Sequence, residues 1–565
     1  MTLIPETPEA LTAFIAGMTL EEKIGQMFLL AFSGDRLDEA RVLMEEYGVG
    51  GSYISNDNIP TPEAAAAMTQ QLQGFAARTR LGLPLLLGVD QEGVWGVMMS
   101  RSCTGPGNLA LGAANDAETT YAMYRVLGQE LAAVGLNVLF APAADCNSNP
   151  HNSIIGMRSF GERPSLVGRM TTAAVRGAQA GGVIATVKHF PGHGDTRLDS
   201  HRGLPTVNRS LVELHELDLR PFREGIAAGA EIVMTAHIIF PALDPDSPAT
   251  LSARILQDLL RAELGFDGVI LSDSMNMRSM KRNYTPADAA IRAFNAGVDM
   301  LMLAEEHYEH DAVNYLRQQT DLIQAVITSV REGSLPIARV DDAVARILRL
   351  KRKLVSAQQA AQQVLHPELV GSAANVEVEL AAARRAVAFL RGGAQFQPLH
   401  ADQPQVLVNA THARAYVGFD QTRGIGPNQS TPAYEYFAAA FKEQARQVTE
   451  YSAEQVLNGT VTIPDGSQVV VVTENYPLPG MDFDQSTQPQ VIERLIAQVG
   501  ADRVIVVGLR DPYELERFAA VRHYLCAFSF RPCAARAAAE ALFGRYALVG
   551  SSPVSVPETE VHAQT

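Results

Sequence analysis

The chain has 565 residues, 47% apolar and 19% charged, a balance that excludes wholesale disorder and a length that calls for two domains. Its 46 basic and 62 acidic residues leave a net charge of −16, with no basic run to follow a phosphate backbone, so nucleic acid is excluded and small or neutral substrates are favoured. Cys103, Cys146, Cys526 and Cys533 are too few and too scattered for a disulfide framework.

The start, Met1-Thr2-Leu3-Ile4-Pro5-Glu6-Thr7, is acidic and lacks the basic and apolar regions of a signal peptide. No apolar segment reaches the length of a membrane span, so a cytoplasmic protein with no membrane partner is expected. Thr19 with Glu22 three residues on forms a capping box and opens a helix. Short apolar runs then alternate with amphipathic segments. The runs 27–31, 48–54, 84–89, 136–141, 183–187, 231–236, 268–271 and 298–303 predict eight strands. Helical patterns at 116–134, 165–180, 212–228, 252–264 and 285–296 lie between them. Eight strand–helix repeats predict an α/β fold of the (β/α)8 TIM-barrel type over residues 1–354, with a doubly wound sheet as the disfavoured alternative.

An amphipathic helix at 341–354 closes this part, and the Gln- and Ala-rich residues 355–372 read as a connector. Residues 373–565 begin with a helix at 378–390. Apolar runs at 406–408, 469–472, 504–507 and 525–528 follow, with helices at 489–499 and 534–543. They predict a smaller three-layer α/β sandwich. Its strand ends carry Glu474, Asn475, Arg510 and Asp511, less chemistry than the barrel offers, so it reads as a structural or partner-facing domain.

In a barrel, chemistry collects where strands end. Asp90 ends the third strand, Lys188 and His189 the fifth, His237 the sixth and Asp273 the seventh, and Arg158 lies beyond the fourth. The densest cluster is Lys188-His189-Phe190-Pro191-Gly192-His193-Gly194-Asp195-Thr196, followed by Asp199-Ser200-His201. A turn with satisfied histidines needs no such density of charge. A metal site on His189, His193, Asp195 and His201 matches no common zinc spacing, so no metal and no cofactor are expected. Acid–base chemistry is favoured, because a carboxylate two residues from an imidazole orients the ring and raises its pKa. Asp273 ends a buried strand; it caps the next helix or serves as a carboxylate facing a separate proton donor, the apparatus of glycoside hydrolysis.

Residues 188–196 with Asp199-Ser200-His201, Gly88-Val89-Asp90-Gln91-Glu92-Gly93, Arg158-Ser159-Phe160-Gly161 and Ser272-Asp273 resemble glycoside hydrolase family 3, in its β-N-acetylglucosaminidase branch. The resemblance implies a retaining exo-glycosidase of bacterial cell-wall recycling acting on a small saccharide, with a homodimer as the oligomer allowed for. It implies Asp273 as nucleophile and His201 as acid/base steadied by Asp199. Asp90, Arg158, Lys188 and His189 grip the sugar, and Asp195 is a further binding candidate. One departure stands out: Met98 occupies the place of the family's sugar-contacting Arg. Arg101 is the candidate substitute. Trp95, the one tryptophan, either stacks on the sugar or packs in the core. Another β-glycoside, phosphorolysis, or sugar binding without catalysis remain the alternatives.

Overall fold

A computed structural model describes residues 4–34, 36–96, 99–152, 154–196, 204–304, 312–416, 429–475 and 486–556. All eight runs of the first half are strands. They are β1 (Phe28–Leu30), β2 (Gly51–Tyr53), β3 (Leu86–Val89), β4 (Val138–Leu139), β5 (Ile184–Phe190) and β6 (Ile232–Thr235); after an inserted hairpin, β7 (Ile239–Phe240) and β8 (Asp244–Pro248), come β9 (Val269–Leu271) and β10 (Leu301–Leu303). Each barrel strand runs parallel to its neighbours, in the order β10-β1-β2-β3-β4-β5-β6-β9. A parallel bridge from Leu271 to Met300 joins the two ends. The Ser272 amide donates to the Met300 carbonyl at 3.0 Å and the Asp299 amide to that of Ile270 at 2.8 Å, so the ring is closed.

The strands read as unbroken apolar runs because both faces are covered, by helices outside and by packed side chains within. Inside, the Tyr53 ring stacks on Phe140 with centroids 6.1 Å apart. The helices start where the sequence supplies caps. Thr19 and Glu22 form the capping box, Asp116 caps Ala117–Ala133 and Thr285 caps Pro286–Ala296. The helix Ile337–Lys351 turns Val340, Ala343, Val344, Ile347 and Leu348 onto the barrel. The larger of these side chains each contribute about 1.5–3 kcal/mol by leaving water.

The second half is a separate mixed sheet of β11 (Ala388–Arg391), β12 (Gln405–Asn409), β13 (Val448–Ser452), β14 (Gln468–Glu474), β15 (Val504–Leu509) and β16 (His523–Cys526). Its order is β11-β16-β15-β14-β12-β13, parallel except for β11. Helices such as Thr487–Val499 and Pro532–Leu542 complete the predicted α/β sandwich. One element departs from expectation: the helix drawn over 378–390 is Ala373–Ala386, and β11 follows it. Val387 leaves the helix with extended dihedrals, and pairing with the distant β16 outweighs the helix preference of the Ala-rich segment.

The two halves share apolar surface. Val94, Leu109, Ala110, Ala113 and Met157 of the barrel pack into the core of the second sheet. All four cysteines are free and buried, Cys103 and Cys146 in the barrel and Cys526 and Cys533 in the second domain. Among the described residues, no helix is long and apolar enough to cross a membrane.

Candidate active site

The strand-end residues come together at the carboxyl face of the barrel. Asp90 directly follows β3, and its Oδ2 accepts from the Tyr53 hydroxyl at 3.0 Å while Oδ1 accepts from the Lys188 ammonium. Lys188, near the end of β5, also meets Glu92 Oε1 at 2.5 Å. Glu92 in turn holds Arg158 by two bonds, 2.7 Å from Nε and 2.9 Å from Nη2. These four ionisable side chains are at most 9% exposed, so each charge leans on its partners rather than on water. Burial alone would push the Glu92 carboxyl up, but Arg158 and Lys188 hold it down to about 2. Burial raises the Asp90 carboxyl, and Lys188 limits the rise. The Trp95 ring lies under the Arg158 guanidinium, 5.2 Å from its centroid, so this tryptophan walls the network.

His189 is fixed by partners on both sides. Its Nδ1 lies 2.8 Å from Asp145 Oδ2 and its Nε2 lies 3.2 Å from Arg158 Nη2. A guanidinium only donates, so Nε2 is the bare nitrogen and Nδ1 carries the proton toward Asp145. Burial keeps this ring neutral until about pH 3, and the charges of Arg158 and Lys188 act in the same direction. Asp145 Oδ1 also accepts from the backbone N–H of His189 at 3.2 Å and of His193 at 2.7 Å. One carboxylate therefore sets the loop that leaves β5. Burial raises its own pKa to about 6, against the pull of His193 and the two backbone N–H groups. Gly194 lets this loop lie on the one after β4: a Cβ there would stand 1.7 Å from the Cys146 carbonyl oxygen.

Asp273 stands just beyond β9, its Oδ1 accepting from the Ser274 N–H at 2.7 Å. The turn around it is pinned from both sides. The Met302 amide donates to Ser272 Oγ at 3.0 Å and the Ala304 amide to Ser274 Oγ at 2.9 Å. From β6, His237 Nε2 donates to the Ser274 carbonyl at 3.0 Å, while Nδ1 meets Thr250 Oγ1 at 2.9 Å. Burial would raise the Asp273 carboxyl, yet His189, His237, the Ser274 N–H and Lys188 hold it below the ordinary carboxylate value. It is ionised at neutral pH, half-buried and within electrostatic reach of β5.

Asp90, Arg158, Lys188, His189, Trp95 and Asp273 are thus gathered at one face. Two other predicted residues stand apart. Asp195 accepts from Ser148 Oγ at 2.9 Å and pairs with Arg209 at 3.2 Å, outside the Asp90–Lys188 network. Arg101 is half exposed and pairs with Glu63 at 2.8 Å. Asp199, His201 and Met98 lie outside the described residues. Glu92, Asp145 and Tyr53 bond directly to Asp90, Arg158, Lys188 and His189 and join the same network. Glu92 lies within the segment Gly88–Gly93 that the sequence singles out, whereas Asp145 comes well past the end of β4 at Leu139 and carries no local signal. Among the described residues, no cluster of three or more His, Cys, Asp or Glu side chains is arranged to hold a metal.

Comparison with known proteins points the same way. Residues 19–350 match the N-terminal domain of glycosyl hydrolase family 3. Beta-hexosaminidase A of Pseudoalteromonas piscicida is 29% identical over 547 residues, 90% of each chain. The beta-N-acetylglucosaminidase/beta-glucosidase of Cellulomonas fimi is 28% identical over 574 residues, covering 96% of this chain and 94% of its own. The structure of a family 3 beta-N-acetylglucosaminidase from Paenibacillus sp. str. FPU-7 superimposes with a TM-score of 0.81 and 33% identity, covering 96% of this chain and 99% of that one.

Proposed function

The chain belongs to glycosyl hydrolase family 3, and from that premise we propose that it is a retaining, exo-acting β-N-acetylhexosaminidase. On this reading it removes terminal β-linked N-acetylglucosamine from peptidoglycan- or chitin-derived saccharides in the cytoplasm, as part of cell-wall recycling. The observation that carries the reading is the Asp273 carboxylate, ionised and pinned by its own turn, beside the polar network on β3 and β5.

Asp273 attacks the anomeric carbon and forms a glycosyl-enzyme ester. His201, steadied by Asp199, protonates the departing oxygen and then takes a proton from the incoming water, so configuration is retained overall. The low Asp273 pKa suits a nucleophile that must be charged when substrate arrives. Lys188 nearby supplies a positive charge that favours that anion. Asp90 and Glu92 accept from sugar hydroxyls, and Lys188 and Arg158 donate to them. Charged partners of this kind give strong, directional bonds to a neutral polyol.

Asp273→Ala should cut turnover of an aryl N-acetylglucosaminide by a factor of at least about a thousand, with an unchanged melting temperature. Undiminished activity would refute the assignment. Met98 in place of the family's arginine favours one second reading, the same chemistry on a β-glucoside. A panel of aryl glycosides, run with and without phosphate and following the anomer released, separates the sugars and the acceptors.

A further inference from the structure

We propose that the second domain is the mould for the loop that follows β3, with Glu379 and Arg531 as its positioning residues. The inference rests on reading the Asp90–Glu92–Arg158–Lys188 network as the sugar site. It assigns part of that site's geometry to side chains hundreds of residues away in the chain.

The loop runs from Gln91 to Gly107, and its described residues are held at both ends. At its start, Arg531 donates from Nε to the Gly93 carbonyl at 2.6 Å. Arg531 is only 1% exposed, and its guanidinium lies over the Phe530 ring at 5.1 Å. Gly93 adjoins Glu92, the residue that ties Lys188 to Arg158. The next residue, Val94, is buried in the second domain's core. The turn between closes with the Glu92 amide donating to the Trp95 carbonyl at 2.8 Å. That turn sets Trp95 under Arg158.

At the returning end, Glu379 Oε1 accepts three bonds from the loop. They come from the Thr104 and Gly105 amides, both at 2.7 Å, and from the Thr104 hydroxyl at 3.1 Å. Glu130 of the barrel takes the Cys103 amide at 2.8 Å, and its other oxygen takes Gly371 and Asn375 at the entry to the second domain, each at 2.9 Å. The loop after β4 is touched as well, since Asn147 Nδ2 donates to the Tyr513 hydroxyl at 2.9 Å.

Apolar contact alone would hold two surfaces together. A buried guanidinium and a half-buried carboxylate aimed at main-chain atoms do something more specific. They fix where the backbone lies at Gly93, Thr104 and Gly105 whatever the loop's side chains are, and through Glu92 they fix the two cations of the site.

The test uses the full-length chain and an aryl N-acetylglucosaminide, with hydrogen exchange read alongside. Glu379→Ala and Arg531→Met should each raise KM at least about tenfold and leave kcat within about threefold, the signature of lost ground-state positioning. Glu379→Gln keeps an acceptor oxygen and should return KM to within about threefold of the wild-type value. In the unmodified chain the Thr104 and Gly105 amides should be protected; in Glu379→Ala they should exchange faster while β5 and β9 stay protected. An active wild type with unchanged KM in both variants overturns the proposal. So does a Glu379→Gln defect equal to that of Glu379→Ala, or absence of protection at Thr104 and Gly105 in the unmodified chain, a result that needs no variant to fold. A wild type inactive on every aryl glycoside sinks the functional reading instead, and the exchange data still decide whether the second domain holds the loop.

Discussion

Asp145 joins two histidines of the β5 loop through one buried carboxylate, with a pKa near 6. Once protonated, that carboxyl can no longer accept all three N–H donors, and the loop loosens around His189. Asp273 stays ionised through this range because its pKa lies below the ordinary value. The kcat/KM profile should therefore fall below about pH 6, and Asp145→Asn should lose that acid limb along with on the order of tenfold in the plateau. A pH–rate series from 4 to 9 on both proteins checks it; an identical limb in the variant would exclude Asp145 as its source. Stability runs the opposite way. The folded pKa of this acid is raised, so its contribution is fully present below the unfolded value and is lost as pH climbs through about 6. Asp90, Lys188, His189 and Arg158 were legible in the sequence because charged residues at successive strand ends stand out against apolar runs. The role of Asp145 was not, because its partner His189 lies 44 residues further along. Arg101 pairs with Glu63 and Asp195 with Arg209, partners that no local pattern in the sequence announces.

The barrel strands were readable as elements for one reason: burial on both faces makes each a short, continuous apolar run. Edge strands lack that signature. β13 has no buried position and carries Thr and Glu side by side, and β11 is an antiparallel edge of Ala, Phe, Leu and Arg that reads as helix until β16 is placed beside it. Within the barrel, β3 delivers Asp90, and Gly88 sits two residues before it. A Cβ on Gly88 would stand 2.3 Å from Phe140 Cζ, the ring that stacks on Tyr53. Gly88→Ala should thus push Phe140 against Tyr53 and cost about 1–3 kcal/mol of stability. Denaturant unfolding measures the cost. A variant as stable as the parent would mean the ring has room to move.

At the scale of the whole molecule, composition and strand–helix order conveyed two domains, but nothing local conveyed why the second is there. The bond from Arg531 to Gly93 spans 438 residues, a separation that no motif or periodicity can express. The shared core around Val94, Leu109 and Ala110 makes the halves lean on each other, so they should come apart in a single step. The cysteines provide the means to see it. Two sit in each half, all buried, and burial pushes every thiol pKa upward. Thiolate is the species that alkylating reagents attack, so the folded enzyme should resist maleimide and retain activity without added reductant. In rising denaturant, tryptic peptides carrying Cys103 and Cys146 should become labelled at the same midpoint as those carrying Cys526 and Cys533. Separate midpoints would reveal a half able to stand alone. The sulfur atoms thus form a built-in set of silent reporters, each dark until its own half opens.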